Sequence, residues 1–124
     1  MARKKHYPQA ILTIKTTPNN THATLTCPQG NVLKSLSAGH QAVGLKGARK
    51  GTPFAASSVV EVVLKAAKEE FGVQVIKQCR INGYSSGRDH AFGPLRKSLI
   101  KIDHMIDITP VPHSGCRSRA ARRV

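Results

Sequence analysis

Ala10-Ile11-Leu12-Thr13-Ile14-Lys15-Thr16 is followed, after Thr17-Pro18-Asn19-Asn20, by Thr21-His22-Ala23-Thr24-Leu25-Thr26-Cys27. In the first run Ala10, Leu12 and Ile14 fall on one side of an extended chain and Thr13 and Lys15 on the other, the period-two pattern of a half-buried strand. The second run alternates in the same way, with Thr21, Ala23, Leu25 and Cys27 against His22, Thr24 and Thr26. Pro18-Asn19-Asn20 supplies turn chemistry between them, so the two runs are predicted to form an antiparallel hairpin. A second turn at Pro28-Gln29-Gly30-Asn31 leads into a third strand over Val32 to Leu36, which completes a meander.

Working outward, periodicity stops from Ser37 to Gly51, where four glycines alternate with Lys46, Arg49 and Lys50. This reads as a flexible basic loop too long to be a plain connection. Thr52-Pro53 is a strong helix start, because a threonine hydroxyl can accept a free backbone N–H and proline at the first position has none to lose. The predicted helix runs to about Phe71, with Ala55, Val59, Val62, Val63 and Ala66 on its apolar face, Lys65, Lys68 and Glu69 in solvent, and Gly72 as its stop. A strand covered on both sides is expected over Val73 to Ile81, with Val73, Val75, Cys79 and Ile81 on one face and Ile76 opposite. After the turn-rich Asn82 to Gly87, a short helix is expected over Pro94 to Lys101, its start delayed by Gly93-Pro94, and a last strand over His104 to Thr109. The order of elements gives an α/β domain over 10–109, preceded by a basic extension at 1–9 and followed by an extended basic tail at 110–124.

The charge balance narrows the function. Among 124 residues, 20 Lys and Arg stand against six acids, a formal net charge of +14. Such a surface calls for a polyanion, and nucleic acid is the natural one, because each phosphate neutralised releases condensed counterions. A membrane partner is set aside, since no apolar run approaches the ~18 residues a spanning helix needs. Three cysteines, Cys27, Cys79 and Cys116, lie far apart, an odd number that argues against a disulfide framework and fits a reducing compartment. The first residues are basic but lack the apolar core of a signal peptide and do not form a complete transit peptide.

Three constellations suit RNA. Lys46, Arg49 and Lys50 lie just before Thr52, so cations and glycines precede a helix start whose free N–H groups attract phosphate. Asn82-Gly83-Tyr84-Ser85-Ser86-Gly87-Arg88 is a glycine and serine turn ending in a cation, and it serves RNA contact or plain turn chemistry equally well. It lacks the spacing and the Gly-Lys-Ser/Thr ending of a nucleotide-binding P-loop. Arg117, Arg119, Arg122 and Arg123, four cations in the last eight residues, suit insertion between RNA helices, where guanidinium groups fork onto phosphates.

Other chemistry finds little support. His113 and Cys116 could offer two metal ligands, but no second close pair completes a site, so His113 reads as a stacking or hydrogen-bonding residue. A nuclease would need clustered carboxylates, and of the six acids Glu61, Glu69 and Glu70 lie on the first helix, while Asp103 and Asp107 could share a neighbourhood near the last strand but, as strand-end acids, read better as partners of Lys or Arg. No enzyme, metal or other cofactor is therefore expected. The competing reading is a free-standing basic RNA-binding or RNA-chaperone protein, with a divergent nuclease behind it.

Read together, three segments resemble the universal small-subunit ribosomal protein family eleven. Asn19-Asn20-Thr21 is similar to the family's hairpin Asn-Asn-Thr, and Arg49-Lys50-Gly51-Thr52-Pro53-Phe54-Ala55-Ala56 to its basic helix entry. Asp107-Ile108-Thr109-Pro110-Val111-Pro112-His113-Ser114-Gly115-Cys116-Arg117 resembles Asp-Val-Thr-Pro-Ile-Pro-His-Asn-Gly-Cys-Arg, again ahead of a basic terminus.

The resemblance implies a three-layer α/β domain with a mixed five-stranded sheet of ribonuclease-H-like topology. It also implies a structural place on the small-subunit platform, near the mRNA exit site. The implied partners are small-subunit rRNA, neighbouring platform proteins and passing mRNA. The glycine loop departs from the family's Gly-Pro-Gly-Pro-Gly-Arg: Gly83, Gly87 and Arg88 remain, but Tyr84, Ser85 and Ser86 replace the middle, and Tyr84 is placed to stack on a base. His40 to Val43 is about two residues longer than the bacterial form, and Ala120-Ala121 stands where lysines and prolines are common. This drift points to a mitochondrial ribosome, with a bacterial or plastid one as the alternative.

Overall fold

The structure, a computed structural model, describes residues 6–41, 43–85 and 87–123; most of the basic N-terminal extension, with Ala42, Ser86 and Val124, lies outside the described residues. The alternating runs fold as their pattern predicts. β1 (Gln9–Thr17) pairs antiparallel with β2 (Asn20–Thr26), and β2 with β3 (Val32–Ser37), so the meander forms one half of the sheet. β4 (Val75–Asn82) lies parallel to β1, and β5 (Lys101–Asp107) parallel to β4, giving a mixed five-stranded sheet in the order β3-β2-β1-β4-β5.

Two helices make the parallel connections. α1 (Pro53–Glu70) joins β3 to β4 and α2 (Gly87–Lys97) joins β4 to β5. Thr52 caps α1, its hydroxyl oxygen accepting the Ala55 N–H at 3.3 Å, and Gly72 follows the last turn at φ +62°. Val59, Val60 and Val63 of α1 are fully buried against Leu12, Ile14, Leu25 and Ile76. At roughly 1.5–3 kcal/mol for each buried aliphatic side chain, this face is what holds α1 on the sheet.

The α/β class and the mixed sheet match the expectation, but the layer count does not. Ala91 and Leu95 of α2 join the same core as α1, so the described residues form two layers instead of three. The other sheet face carries Thr13, Lys15, His22, Thr24 and Arg80, all half-buried or exposed and too polar to seat another helix. For the same reason β4 is covered on one side only. Ile76 also lies on the core side with Cys79 and Ile81, not opposite them. Between Ala10/Ile11 of β1 and Ile76/Gln78 of β4 the register shifts by one residue at Lys77, which resets the alternation.

The second helix corrects the sequence reading most. It begins at Gly87, seven positions before the expected start, and Pro94 lies inside it. A proline removes the N–H that would bond the carbonyl four residues back, here that of His90. The Ser57 hydroxyl of α1 lies 3.1 Å from the His90 oxygen and donates to it across the helix pair, with the Pro53 oxygen at 3.4 Å as its alternative acceptor. The last strand starts at Lys101 in place of His104, because α2 ends earlier and Ser98 to Ile100 make the bend.

Candidate nucleic-acid interface

The carboxyl ends of the parallel strands β1, β4 and β5 lie together, and the basic and glycine-rich segments gather around them. Gly51 packs so closely on the β1–β2 turn that a Cβ there would stand 2.8 Å from the Pro18 oxygen and 3.4 Å from the Asn19 Cα. The basic segment is thereby pressed against the hairpin tip. It is a short 3-10 turn, Gly47–Gly51, in place of the flexible loop that its composition suggests. The Thr52 hydroxyl donates to the Arg49 oxygen at 2.7 Å while accepting from Ala55, so one residue fuses the cationic turn to the start of α1. Lys46 and Arg49 are exposed, and the aliphatic stem of half-buried Lys50 lies against Gly39. Asn19 is exposed at the tip, whereas the Asn20 side-chain oxygen accepts the Thr21 N–H at 2.8 Å and so serves its own turn.

The glycine loop is fixed beside this tip. Gly83 sits at φ +114°, and a side chain there would run into the Thr16 carbonyl oxygen at the end of β1. Gly87 opens α2 with its Cα facing the Ala56, Thr21 and Thr16 side chains, so both helix starts meet the hairpin end. Tyr84 projects from the loop with 73% of its surface exposed. Phe54, in the first turn of α1, is 70% exposed, a candidate that the sequence motifs mark only as part of a helix entry. An apolar ring on a helix that buries its other face is the signal that could have singled it out.

Arg88 has an internal task. One terminal nitrogen donates to the Gly83 oxygen at 3.1 Å and the other to Asp107 Oδ2 at 3.0 Å. Asp107 Oδ1 in turn accepts from the Thr109 hydroxyl at 2.6 Å and the Thr109 N–H at 2.9 Å, and the Thr109 hydroxyl oxygen accepts the Gly83 N–H at 3.0 Å. These bonds hold the Asp107 carboxyl at about 2, well below its usual 3.8, with the Thr109 hydroxyl as the largest cause, then the Thr109 N–H, then Arg88. The clasp ties the loop, the start of α2 and the root of the tail into one unit. It also pairs a carboxylate that would otherwise repel phosphate.

Beyond Thr109 the tail leaves the domain from this same end. Residues 110–123 have no regular secondary structure and are exposed, including His113, Arg117, Arg119, Arg122 and Arg123. No tail arginine makes an ion pair with the described residues. Among the described residues no group of three or more His, Cys, Asp or Glu is placed to hold a metal ion, and no helix is long and apolar enough to cross a membrane. The arrangement sets exposed cations, two exposed rings and two helix starts around the strand ends, the region where open α/β sheets commonly receive ligands.

Residues 10–123 match the family model described as Ribosomal protein S11. Two proteins named "Small ribosomal subunit protein uS11", from Coxiella burnetii strains CbuG_Q212 and RSA 493 / Nine Mile phase I, are each 43% identical over 126 aligned residues. A third of the same name, from strain RSA 331 / Henzerling II, is 42% identical. In each comparison the alignment covers the whole of both chains.

Proposed function

The chain belongs to the ribosomal protein S11 family, structural and non-enzymatic components of the small ribosomal subunit, and on that premise we propose that its strand-end face binds and stabilises small-subunit rRNA at the platform, near the mRNA exit site. Exposed Lys46 and Arg49, with Lys50 and the cap residue Thr52, hold phosphates at the start of α1. Asn19 and Asn20 shape the neighbouring hairpin tip. Gly83 and Gly87 let backbone approach backbone, Tyr84 stacks on an unpaired base, and Arg88 keeps the loop and tail root in place. His113 and Arg117, Arg119, Arg122 and Arg123 thread between RNA elements and order there. Neighbouring platform proteins and mRNA passing the exit site are the further partners.

The observation that carries this reading is the seating of the basic turn on the hairpin tip through Gly51, beside the Gly83 loop from which the arginine tail departs. The similar proteins are bacterial, which favours a bacterial ribosome over the mitochondrial one suggested by the drift in sequence. The test is the salt dependence of binding to small-subunit rRNA. Replacing Arg117, Arg119, Arg122 and Arg123 with alanine is expected to flatten the slope of log affinity against log salt by roughly 0.7–0.9 for each phosphate that is no longer neutralised. An unchanged slope would remove the tail from the interface.

A further inference from the structure

β5 is the outermost strand, with β4 as its strand partner, so the N–H and C=O groups on its outer side have no strand to pair with among the described residues. Native proteins normally blunt such an edge; exposed Lys101 and Asp103 do so at the start of β5, while the stretch from Met105 onward is flanked by apolar side chains. Met105 is 52% exposed, and Ile106, Ile108 and Leu99 are exposed on or beside the strand. Met105 aligns with Cys79 and so faces the helix side, whereas Ile106 aligns with Arg80 on the open side. Between β5 and α2 runs a groove of about 630 Å³ with an apolar floor of Phe92, Leu95, Ile102 and Met105, lined also by Arg96 and by the Arg88–Asp107 pair.

An unpaired edge next to an apolar groove is the geometry of strand addition, in which the main chain pairs with the edge and alternate side chains fill the groove. A nucleic-acid backbone has phosphates that could accept from the edge N–H groups but no donors for the edge carbonyls in between, and it leaves the apolar floor of the groove unfilled, whereas an extended polypeptide serves all three. A second copy of this chain would bring one surface of net charge +14 against another. Arg96 is exposed and has no ion pair among the described residues, which leaves a cation at the groove for an opposite charge. We infer that the outer edge of β5 and the β5–α2 groove bind an extended segment of a different protein, apolar at alternate positions and carrying a carboxylate opposite Arg96. The placing of that partner within the small subunit rests on the function proposed above.

The test uses assembled small subunits bearing a photoreactive benzophenone side chain at position 105, a site exposed enough to accept it. Crosslinking is read only on chain that co-sediments with subunits after a high-salt wash, so incorporation is established separately from the crosslink. The expected product is a crosslink to one segment of one other protein with an Asp or Glu close to the attachment point. Arg96→Glu is expected to lower the yield about fivefold, the scale of one exposed ion pair, while Arg96→Lys retains most of it. Attachment to rRNA, to a second copy or to no macromolecule, or a yield indifferent to Arg96→Glu, would overturn the inference.

Discussion

Arg88 at the start of α2 and Asp107 at the end of β5 are joined by a 3.0 Å ion pair that spans the loop between Gly83 and Gly87 and anchors the root of the tail. Because the Asp107 carboxyl is held at about 2 instead of 3.8, the clasp contributes stability at pH above about 4 and loses it as pH falls through about 2. Carbon-detected NMR titration of Asp107 is expected to give a midpoint near the lower value. Thr109→Ala and Arg88→Ala should each raise it, the first by removing the hydroxyl bond that is the largest cause and the second by removing a hydrogen bond and a positive charge together. A midpoint near 4 in the unmodified protein would contradict the clasp.

Gly83 and Gly93 make contrasting predictions. At Gly83 both the positive φ and the Thr16 carbonyl oppose a side chain, so Gly83→Ala is expected to destabilise the domain by about 2–4 kcal/mol in urea unfolding. At Gly93, inside α2, an added Cβ meets nothing within 4 Å beyond its own helix and chain neighbours, so Gly93→Ala is expected to cost less than about 1 kcal/mol, the helix propensity of alanine offsetting the crowding that Pro94 imposes on the residue before it. Equal effects at the two positions would contradict the loop geometry.

Ser57 replaces a bond that Pro94 cannot make. Ser57→Ala is expected to cost about 0.5–1 kcal/mol, because the His90 carbonyl lies where water can partly substitute. Ser57→Ala combined with Pro94→Ala should cost less than Ser57→Ala alone, since alanine restores an N–H to the helix. Additive destabilisation in a double-mutant cycle would refute the pairing.

That pair marks where sequence reading ends. β1 and β2 are legible because one face of each is buried and the alternation records it, β3 because the turn at Pro28 to Asn31 announces it, and Thr52-Pro53 announces α1 through cap chemistry that is local. The start of α2 is not legible, because proline breaks a helix by local rules and the hydroxyl that rescues it comes from Ser57, 33 residues earlier. The face that Ile76 occupies is hidden for a related reason, since the register shift at Lys77 exists only relative to β1. The cationic segments of the candidate interface are visible as composition. Their convergence is not, since it depends on Gly51 meeting Pro18 and Gly83 meeting Thr16 across the fold. The Arg88–Asp107 pair is hidden for the same reason, the two residues being 19 positions apart.

The thiols should divide by position. Cys27 and Cys79 are buried, and burial pushes the Cys79 thiol up to about 11, while Cys116 lies exposed in the tail. A thiol reagent at neutral pH is expected to modify Cys116 in the folded protein and to reach Cys27 and Cys79 only on unfolding. Prompt modification of Cys79 would contradict the packing of β4.

The central claim is integration into the small ribosomal subunit through the strand-end face, and a sucrose-gradient profile after a high-salt wash tests it directly. Tagged chain is expected to sediment with small subunits, and chain with Lys46, Arg49, Lys50 and the four tail arginines replaced by alanine is expected to shift toward the top of the gradient. Unaltered chain running free at the top, or the substituted chain sedimenting with subunits as fully as the unaltered one, would contradict the account.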